Sequence, residues 1–246
     1  MDAEAEESVD PRLFEQAKIF ATALTETVRA VVPDSDAFVP MILRESLSVR
    51  QGPRAGIVLT VNKKPLFELK ASYQCCMDRY DDYLAILESK FEIIPHLSAE
   101  QLMRFEYVRD YRNAPVAHAH VHAPRAAFDY LMDNAGTATR RARQRGKRDD
   151  LAPIQDLHFP LGGHRFRPCL EDILETLIDE FGVDHELGAM EALADGREAW
   201  RRGQTKAVVR DDPESAIGVL RKLGYDVEWT SDEPEPPIHW DRLRKH

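Results

Sequence analysis

The sequence is poor in cysteine, which excludes a scaffold held together by disulfide bonds. Its 246 residues include three cysteines, of which Cys75 and Cys76 are neighbours and Cys169 lies far along the chain. An odd number of cysteines cannot form a closed set of disulfides, and a chain of this length can build a hydrophobic core without them. We therefore expect reduced, packed thiols, in keeping with a cytoplasmic protein.

Long hydrophobic runs are also absent. No apolar stretch approaches the roughly 20 residues that a membrane-spanning helix needs, so we expect no membrane partner. The N-terminal segment MDAEAEES is acidic, which is typical of neither a signal peptide nor a transit peptide. Both observations predict a cytoplasmic location.

Positive charge is in deficit. The chain has 33 lysines and arginines against 43 aspartates and glutamates, for a net charge of −10. Because phosphate binding relies on lysine and arginine, this balance argues against general coating of nucleic acid. The exception is the basic run TRRARQRGKRDD at 139–150, within a loop that we place at 136–152. Its composition favours a solvated loop, and contact with phosphate or with an acidic partner is the alternative.

Helical periodicity is clear at both ends of the main domain. Asp10 and Pro11 begin an amphipathic pattern that runs to about residue 32, with proline at the first helical position. A second pattern covers 169–181 and ends at Gly182, a good residue for a helix C-terminus. Apolar spacing predicts three further helices, at 76–89, 190–209 and 213–224.

The remaining regular segments favour β-structure. A hairpin is predicted from 56–61 and 66–70, joined by Asn62-Lys63-Lys64-Pro65. A second hairpin is predicted from 103–111 and 116–122, because Arg112-Asn113-Ala114-Pro115 turns the chain between them. Shorter strands are predicted at 91–94 and 225–229.

Together these segments predict an α+β fold. A central antiparallel sheet, which includes 56–70 and 103–122, should pack against the N-terminal helix and the 169–181 helix, followed by a small helical C-terminal extension. The expected organisation is a disordered tail at 1–10, a main domain at 11–182, a helical extension at 183–230 and a tail at 231–246.

The most informative stretch is His-Ala-His-Val-His at 118–122. In a β-strand, alternation puts His118, His120 and His122 on one face and the alanines and valine on the other. Histidine can transfer protons, bind a metal or act as a nucleophile, so the stretch predicts a site. We expect substrate contacts from residues around the two turns, namely Tyr111, His158, His164, Arg165 and Arg167.

A metal site is an open alternative. At about 3.3 Å per residue, His118 and His120 lie about 6.6 Å apart along a strand, so both can reach one ion. His118 and His122 are about 13 Å apart, so a single ion is not expected to bind all three. A complete site would take a further ligand from His158, His164 or a carboxylate. The leading interpretation uses no metal and no cofactor.

The chain resembles TumE-like toxins of bacterial toxin–antitoxin pairs. The resemblance rests on the Arg109–Pro115 turn, the His-x-His element after it and the short acidic helix beyond, and spans about 66–180. It implies action on RNA or another phosphodiester and an antitoxin or other protein partner. His120 would be the general base or nucleophile, as in the similar His-x-His-x-His core of histidine-triad nucleotide hydrolases. His118 or His122 would be the partner acid, and Arg109 would stabilise the phosphorane charge.

At the level of the whole chain, the sequence resembles a family of actinobacterial hypothetical proteins. The shared phrases are NKKPLFEL, RFEYVRDY, VHAPR and HFPLGGHRFRPCLEDIL. This resemblance implies no particular reaction. The alternatives to a toxin-like protein that acts on RNA or a nucleotide are a non-enzymatic binding or regulatory module and a metal-dependent enzyme that uses the histidine strand.

Overall fold

A computed structural model of the chain describes residues 10–43, 46–52, 56–96, 101–112, 114–122, 159–161 and 164–244. The predicted basic loop at 136–152, His158 and the predicted N-terminal tail up to residue 9 lie outside these residues. The described part contains five helices and eight strands. In chain order they are α1 (Pro11–Val31), β1 (Phe38–Leu43), β2 (Ser46–Gln51), β3 (Ile57–Val61), β4 (Lys64–Met77), β5 (Leu84–Pro95), β6 (Met103–Val108), β7 (Ala117–Val121), β8 (Phe159–Pro160), α2 (Leu170–Phe181), α3 (Ala189–Asp211), α4 (Pro213–Lys222) and α5 (Trp240–Arg244).

The eight strands form one antiparallel sheet. Its order is β1-β2-β4-β5-β6-β7-β8, and β3 pairs with the first part of the long strand β4. Strands β2 and β3 therefore lie one after the other along the same edge of β4, with β5 on the other edge. The predicted α+β class, with an antiparallel sheet, an N-terminal helix and helical C-terminal elements, is confirmed.

The two faces of the sheet differ in chemistry. Alternate residues of β4 and β5, such as Leu69, Tyr73 and Phe91, are buried in a hydrophobic core beneath α1 and α2. The residues between them point to the opposite face and are largely polar, including the cross-strand pair Ser72 and Lys90. The helices thus cover one face, and a polar face remains on the other side.

The helix ends agree with their sequence signals. The side chain of Asp10 accepts a hydrogen bond from the backbone N–H of Arg12 at 2.8 Å, which satisfies one of the free donors in the first turn of α1. Helix α2 ends where Gly182 adopts φ +67°, a left-handed conformation that glycine adopts without steric cost.

The predicted hairpin at 56–70 is present as β3–β4. Asn62 and Lys63 form its two-residue turn with φ angles of 52° and 63°. Positive φ at both central positions is the geometry of a type I′ turn, which suits the twist of paired strands. Asp184, just after α2, accepts hydrogen bonds from the backbone N–H groups of both turn residues and from the hydroxyl of Thr60. The turn is thereby tied to the helical layer.

The prediction of a helix at 76–89 was wrong. Residues 84–95 form β5, which pairs with β4 along most of its length, and a bend at 78–83 connects the two strands. Long-range pairing has overridden the helical spacing of the apolar residues. The strand predicted at 225–229 is also wrong, since these residues have no regular structure. Strands β1 and β2 were not predicted, and Pro40 fits because β1 is an edge strand.

The C-terminal elements pack onto the main core. Ala189 and Leu193 of α3 belong to the buried hydrophobic cluster, and α3 contacts both α1 and α2. Within the stretch expected to be a tail, Trp240–Arg244 forms α5, which contacts α3. Among the described helices, none is both long and apolar enough to span a bilayer.

Asp172 connects α2 to α3 and should carry a pH-dependent part of the stability. Its carboxylate accepts from the backbone N–H of Cys169 and pairs with Arg197 at 2.7 Å. Burial opposes ionisation, but these hydrogen bonds outweigh it and lower the pKa of Asp172 below its ordinary value of 3.8.

Replacing Asp172 with asparagine should therefore lower the free energy of unfolding by about 1 kcal/mol at pH 7, after allowance for partial exposure. A lowered folded-state pKa adds stability above pH 3.8, and that stability is lost as the pH falls further. The difference between wild type and Asp172→Asn should shrink below that pH in urea unfolding curves. A difference that grows with acid would contradict this assignment.

Candidate functional site

The pairing of β6 with β7 assembles a polar cluster on the face of the sheet that lies away from the helices. Glu106 lies directly opposite His118, and Arg104 lies opposite His120. Cross-strand partners have neighbouring side chains on the same face, so two acid–base groups from each strand meet there.

The three groups at the centre of this cluster are close together. Nε2 of His118 lies 3.4 Å from Oε2 of Glu106, and Nε2 of His120 lies 3.5 Å from the same oxygen. One ligand atom from each of the three side chains lies within 4.8 Å of the others. His118 and His120 are 1% and 5% exposed, whereas the side chain of Glu106 is 21% exposed, so solvent reaches the cluster from the carboxylate side.

The ring of His118 is held from two sides. Its Nδ1 lies 2.7 Å from the backbone oxygen of Pro115. A carbonyl oxygen only accepts, so Nδ1 carries a proton and donates it. Tyr111 stacks on the same imidazole, with ring centroids 5.9 Å apart and an angle of 22° between the planes. Nε2 of His118 is thereby directed at Glu106 and His120.

Glu106 is held in its charged form. Burial alone would raise its pKa, but hydrogen bonds from His118 and His120 and the positive charge of Arg104 outweigh burial and keep the pKa far below the usual range. Arg104 forms an ion pair with the same carboxylate, with Nη2 3.1 Å from Oε2. The cluster therefore presents a full negative charge to the two imidazoles at neutral pH.

Two of the predicted catalytic residues lie apart from this centre. His122 follows the end of β7, and its ring centroid is 6.5 Å from that of His120. Arg109 lies in the turn after β6, where its guanidinium donates to the backbone oxygen of Ile86 and to Sγ of Cys76. The arginine that contacts Glu106 is Arg104, which the sequence did not single out.

The predicted residues of the 158–167 segment lie on the other face of the sheet, with His158 outside the described residues. The hydroxyl of Tyr107, next to Glu106 in β6, is 3.1 Å from Nδ1 of His164. Arg165 forms two hydrogen bonds with Asp211, at 2.7 and 3.1 Å. These contacts place His164 and Arg165 on the helix side, and Arg167 lies there against Tyr107, so these three residues do not join the histidine cluster.

Glu106, like Arg104, is a site residue that was not predicted from the sequence. It belongs to the predicted strand at 103–111, but which of its residues face the histidines depends on the register. The strand pair fixes that register by placing Glu106 opposite His118. A carboxylate on the predicted partner strand of a His-x-His stretch was the signal that could have found it.

The cluster offers two nitrogen ligands and one oxygen ligand converging from adjacent strands. Two histidines and one carboxylate form a common ligand set for zinc and for non-haem iron. A histidine that donates its other ring N–H to a backbone carbonyl, as His118 does, is also typical of metal ligands. The same three groups could instead exchange protons, because imidazole and carboxylate side chains both act as general acids and bases.

Comparisons of this chain with protein-family models, with curated proteins and with solved structures find no match.

Proposed function

We propose that Glu106, His118 and His120 bind one divalent transition-metal ion and that the protein is a metal-dependent hydrolase. The observation that carries this proposal is the orientation of His118. Its Nδ1 donates to Pro115, which directs Nε2, the nitrogen left to bind a metal, at the Glu106 carboxylate 3.4 Å away. Binding of a cation would displace the proton from Nε2, and the ion would then be attracted both to that nitrogen and to the carboxylate.

The ligand types favour a particular class of ion. Imidazole nitrogen suits zinc, iron, copper and nickel, whereas magnesium and calcium prefer all-oxygen sites. Catalytic zinc sites use three protein ligands and keep a further position for water. An ion held by this cluster would supply a hydroxide nucleophile at neutral pH.

Arg104 should limit the affinity of the cluster for the metal ion. Its guanidinium pairs with the same Oε2 that faces both histidines. An incoming cation competes with this arginine for the carboxylate, and like charges close to each other repel. Removing the charge at position 104 should therefore strengthen binding of the ion.

The substrate class that we propose is a phosphodiester, with RNA as the first candidate. Support comes from the resemblance to TumE-like toxins and from Arg104, a cation beside the cluster that could contact a phosphate oxygen. The chain's own contribution would be to orient the two imidazoles and to hold Glu106 ionised. Water would attack phosphorus, its proton would leave to solvent, and the departing oxygen would take up a proton.

Titration with a spectroscopically visible ion tests the site directly. Purified protein stripped with a chelator should bind about one equivalent of Co²⁺, which Zn²⁺ should displace. His120→Ala should weaken binding at least about 100-fold because it removes one of three ligands. The matched control is His122→Ala, which removes the neighbouring histidine and should change affinity less than about 3-fold.

The affinity of Arg104→Met for Co²⁺ provides a second test. Arg104→Met should bind Co²⁺ more tightly than wild type if the arginine competes with the ion. Absence of stoichiometric binding in both wild type and Arg104→Met would contradict the metal proposal. Equal affinities of wild type and His120→Ala would contradict the assignment of ligands.

Metal-free acid–base catalysis on RNA is the second candidate. It is favoured by the contacts of one carboxylate with two imidazoles, at 3.4 and 3.5 Å, which bring three groups able to transfer protons within reach of one another. One imidazole would then act as the general acid and the other as the base. RNA cleavage that persists unchanged in excess chelator would favour this candidate over the metal centre.

A further inference from the structure

A cavity of about 750 Å³ lies on the helix side of the sheet. The inner face of β4 to β6, α1, the segment before α2, α3 and the region of α5 all contribute to its walls. Sites for small organic molecules have volumes of about 300 to 1,000 Å³, so the cavity is of the size that such a molecule fills. It is separated by the sheet from the cluster of Glu106, His118 and His120.

Helix α3 presents small residues to the cavity. Gly196, Ala199, Gly203 and Ala207 recur at helical spacing along its wall. A Cβ atom added at Gly203 would meet no atom within 4 Å, so the space beside this residue is open. Glycine within a helix costs about 1 kcal/mol relative to alanine. The helix thus keeps an open wall at a cost to its own stability.

The cavity is positively charged in an acidic protein. Among the described residues that line it, seven are lysine or arginine and three are aspartate or glutamate. The whole chain, in contrast, has a net charge of −10. Clustering of like charges around a cavity is unfavourable without an anion, so the excess indicates an anionic ligand.

Arg167 is a buried arginine in the wall of the cavity. It is 7% exposed, and within the described part of the chain it forms no ion pair. Its guanidinium lies over the rings of Tyr107 and Trp200, 3.8 and 4.9 Å from their centroids, and donates to the backbone oxygen of His164. Guanidinium has five N–H donors, and this arrangement uses few of them. Burial lowers the pKa of Arg167 to about 10.

Two further arginines line the cavity with Arg167. Arg165 is fixed by its two hydrogen bonds to Asp211, and Arg109 by its hydrogen bonds to Ile86 and Cys76. Both raise the local positive potential and oppose the charge of Arg167. Because their side chains are held by protein atoms, the positions of the positive charges are set before any ligand arrives.

The same cavity contains hydrogen-bond acceptors in need of donors. Oδ2 of Asp78 and Oε1 of Gln204 are buried and find no hydrogen-bond partner among the described residues, and both residues line the cavity. A buried acceptor without a partner is costly, and a ligand N–H or O–H group would satisfy it. Aromatic rings, among them Trp200 and Tyr73, form much of the remaining wall.

We propose that this cavity binds a small organic anion that combines a phosphate or carboxylate group with a planar ring bearing hydrogen-bond donors. Arg167 would bind the anionic group, with Arg165 and Arg109 adding to the positive potential. The aromatic rings would contact the planar ring, and Asp78 and Gln204 would accept from its donors. This proposal is independent of the metal centre, since it concerns the opposite face of the sheet.

Calorimetric titration with defined probes tests the proposal. The probes are AMP, GMP, CMP and UMP as ring phosphates, 4-hydroxybenzoate as a ring carboxylate, and inorganic phosphate alone. At least one ring-bearing anion should bind at least about 10-fold more tightly than inorganic phosphate, because the aromatic wall adds to the interaction with arginine. Preference for the nucleotides or for the benzoate identifies which anionic group the cavity selects.

Two variants and a control make the result specific. Arg167→Met should weaken binding of the best probe about 30-fold through loss of charged hydrogen bonds. Gly203→Leu should also weaken it by filling the open space. Arg202→Met removes a charge of the same sign from the exposed side of α3 and should leave affinity within about 2-fold.

Folding of the variants is verifiable separately. Arg167→Met should unfold at the same or a higher urea concentration than wild type, because it removes a buried charge that pairs with no carboxylate in the described ranges. Failure of every probe to bind the wild type would overturn the proposal. Unchanged affinity in both Arg167→Met and Gly203→Leu would overturn it equally. Neither result bears on Co²⁺ binding by the histidine cluster.

Discussion

Replacing His118 with alanine should lower metal-dependent hydrolysis of RNA at least about 1000-fold, equivalent to about 4 kcal/mol of transition-state stabilisation. His118 is held by a hydrogen bond to the backbone oxygen of Pro115 and by stacking against Tyr111. Its loss removes both a ligand and the group that fixes the geometry of the site, so little activated water would remain. Initial rates on a fluorescent RNA oligonucleotide, measured with Zn²⁺ and with Mn²⁺, give the comparison.

The control for this experiment is His122→Ala, which should retain activity within about 3-fold because His122 lies outside the cluster. Since His118 is buried, circular dichroism and urea unfolding must show that the alanine variant is folded. Equal rates for wild type and His118→Ala would contradict the proposed site. So would a wild-type protein without any metal-dependent hydrolysis.

Replacing Leu174 with alanine should lower the free energy of unfolding by about 3 to 4 kcal/mol. Leu174 lies in α2 and is 1% exposed within the core that joins this helix to the sheet. Truncation removes buried methyl groups and leaves a void that the surrounding β-structure cannot close fully. Urea unfolding at neutral pH measures the difference.

Leu223 provides the matched control, because it is 69% exposed. Leu223→Ala should change the free energy of unfolding by less than about 0.5 kcal/mol. A loss below about 1 kcal/mol for Leu174→Ala would mean that α2 is not packed on the sheet as described.

Helices α1 and α2 were predictable because the signals at their ends are local. Asp10 before Pro11 and Gly182 after Phe181 mark boundaries that depend on a few neighbouring residues. The two-residue turn at Asn62 and Lys63 is similarly a local feature, supported by apolar residues on both sides. Such elements form in the predicted places because tertiary packing acts in the same direction as local preference.

Secondary structure was predicted wrongly where the spacing of apolar residues and the long-range pairing of strands favour different elements. Tyr80, Leu84 and Leu87 are spaced as in a helix, but the residues from Leu84 onward pair with β4. Strands β1 and β2 lack a strong alternating pattern, and β1 contains Pro40, which is typical of a turn as much as of an edge strand. Their formation depends on the edge of β4 that the rest of the sheet provides.

The candidate site, too, was predictable where its signal is local and not where it depends on the pairing of strands. Alternation within one strand was enough to predict that His118 and His120 share a face. Glu106 could not be assigned from alternation alone, because its place opposite His118 depends on the register of the hairpin. The cavity depends on still longer range, since Arg165 pairs with Asp211, 46 residues away.

Successive residues of strand β6 contribute to different sites on opposite faces of the sheet. Glu106 belongs to the histidine cluster, and Tyr107, the next residue, lies against Arg167 in the cavity. Deleting one residue at the start of the strand would exchange these two directions. The carboxylate would then enter a cavity rich in arginine, and the phenol would face the imidazoles. The register of this single strand therefore sets the position of both sites. An insertion or deletion in it would disrupt the histidine cluster and the cavity at once.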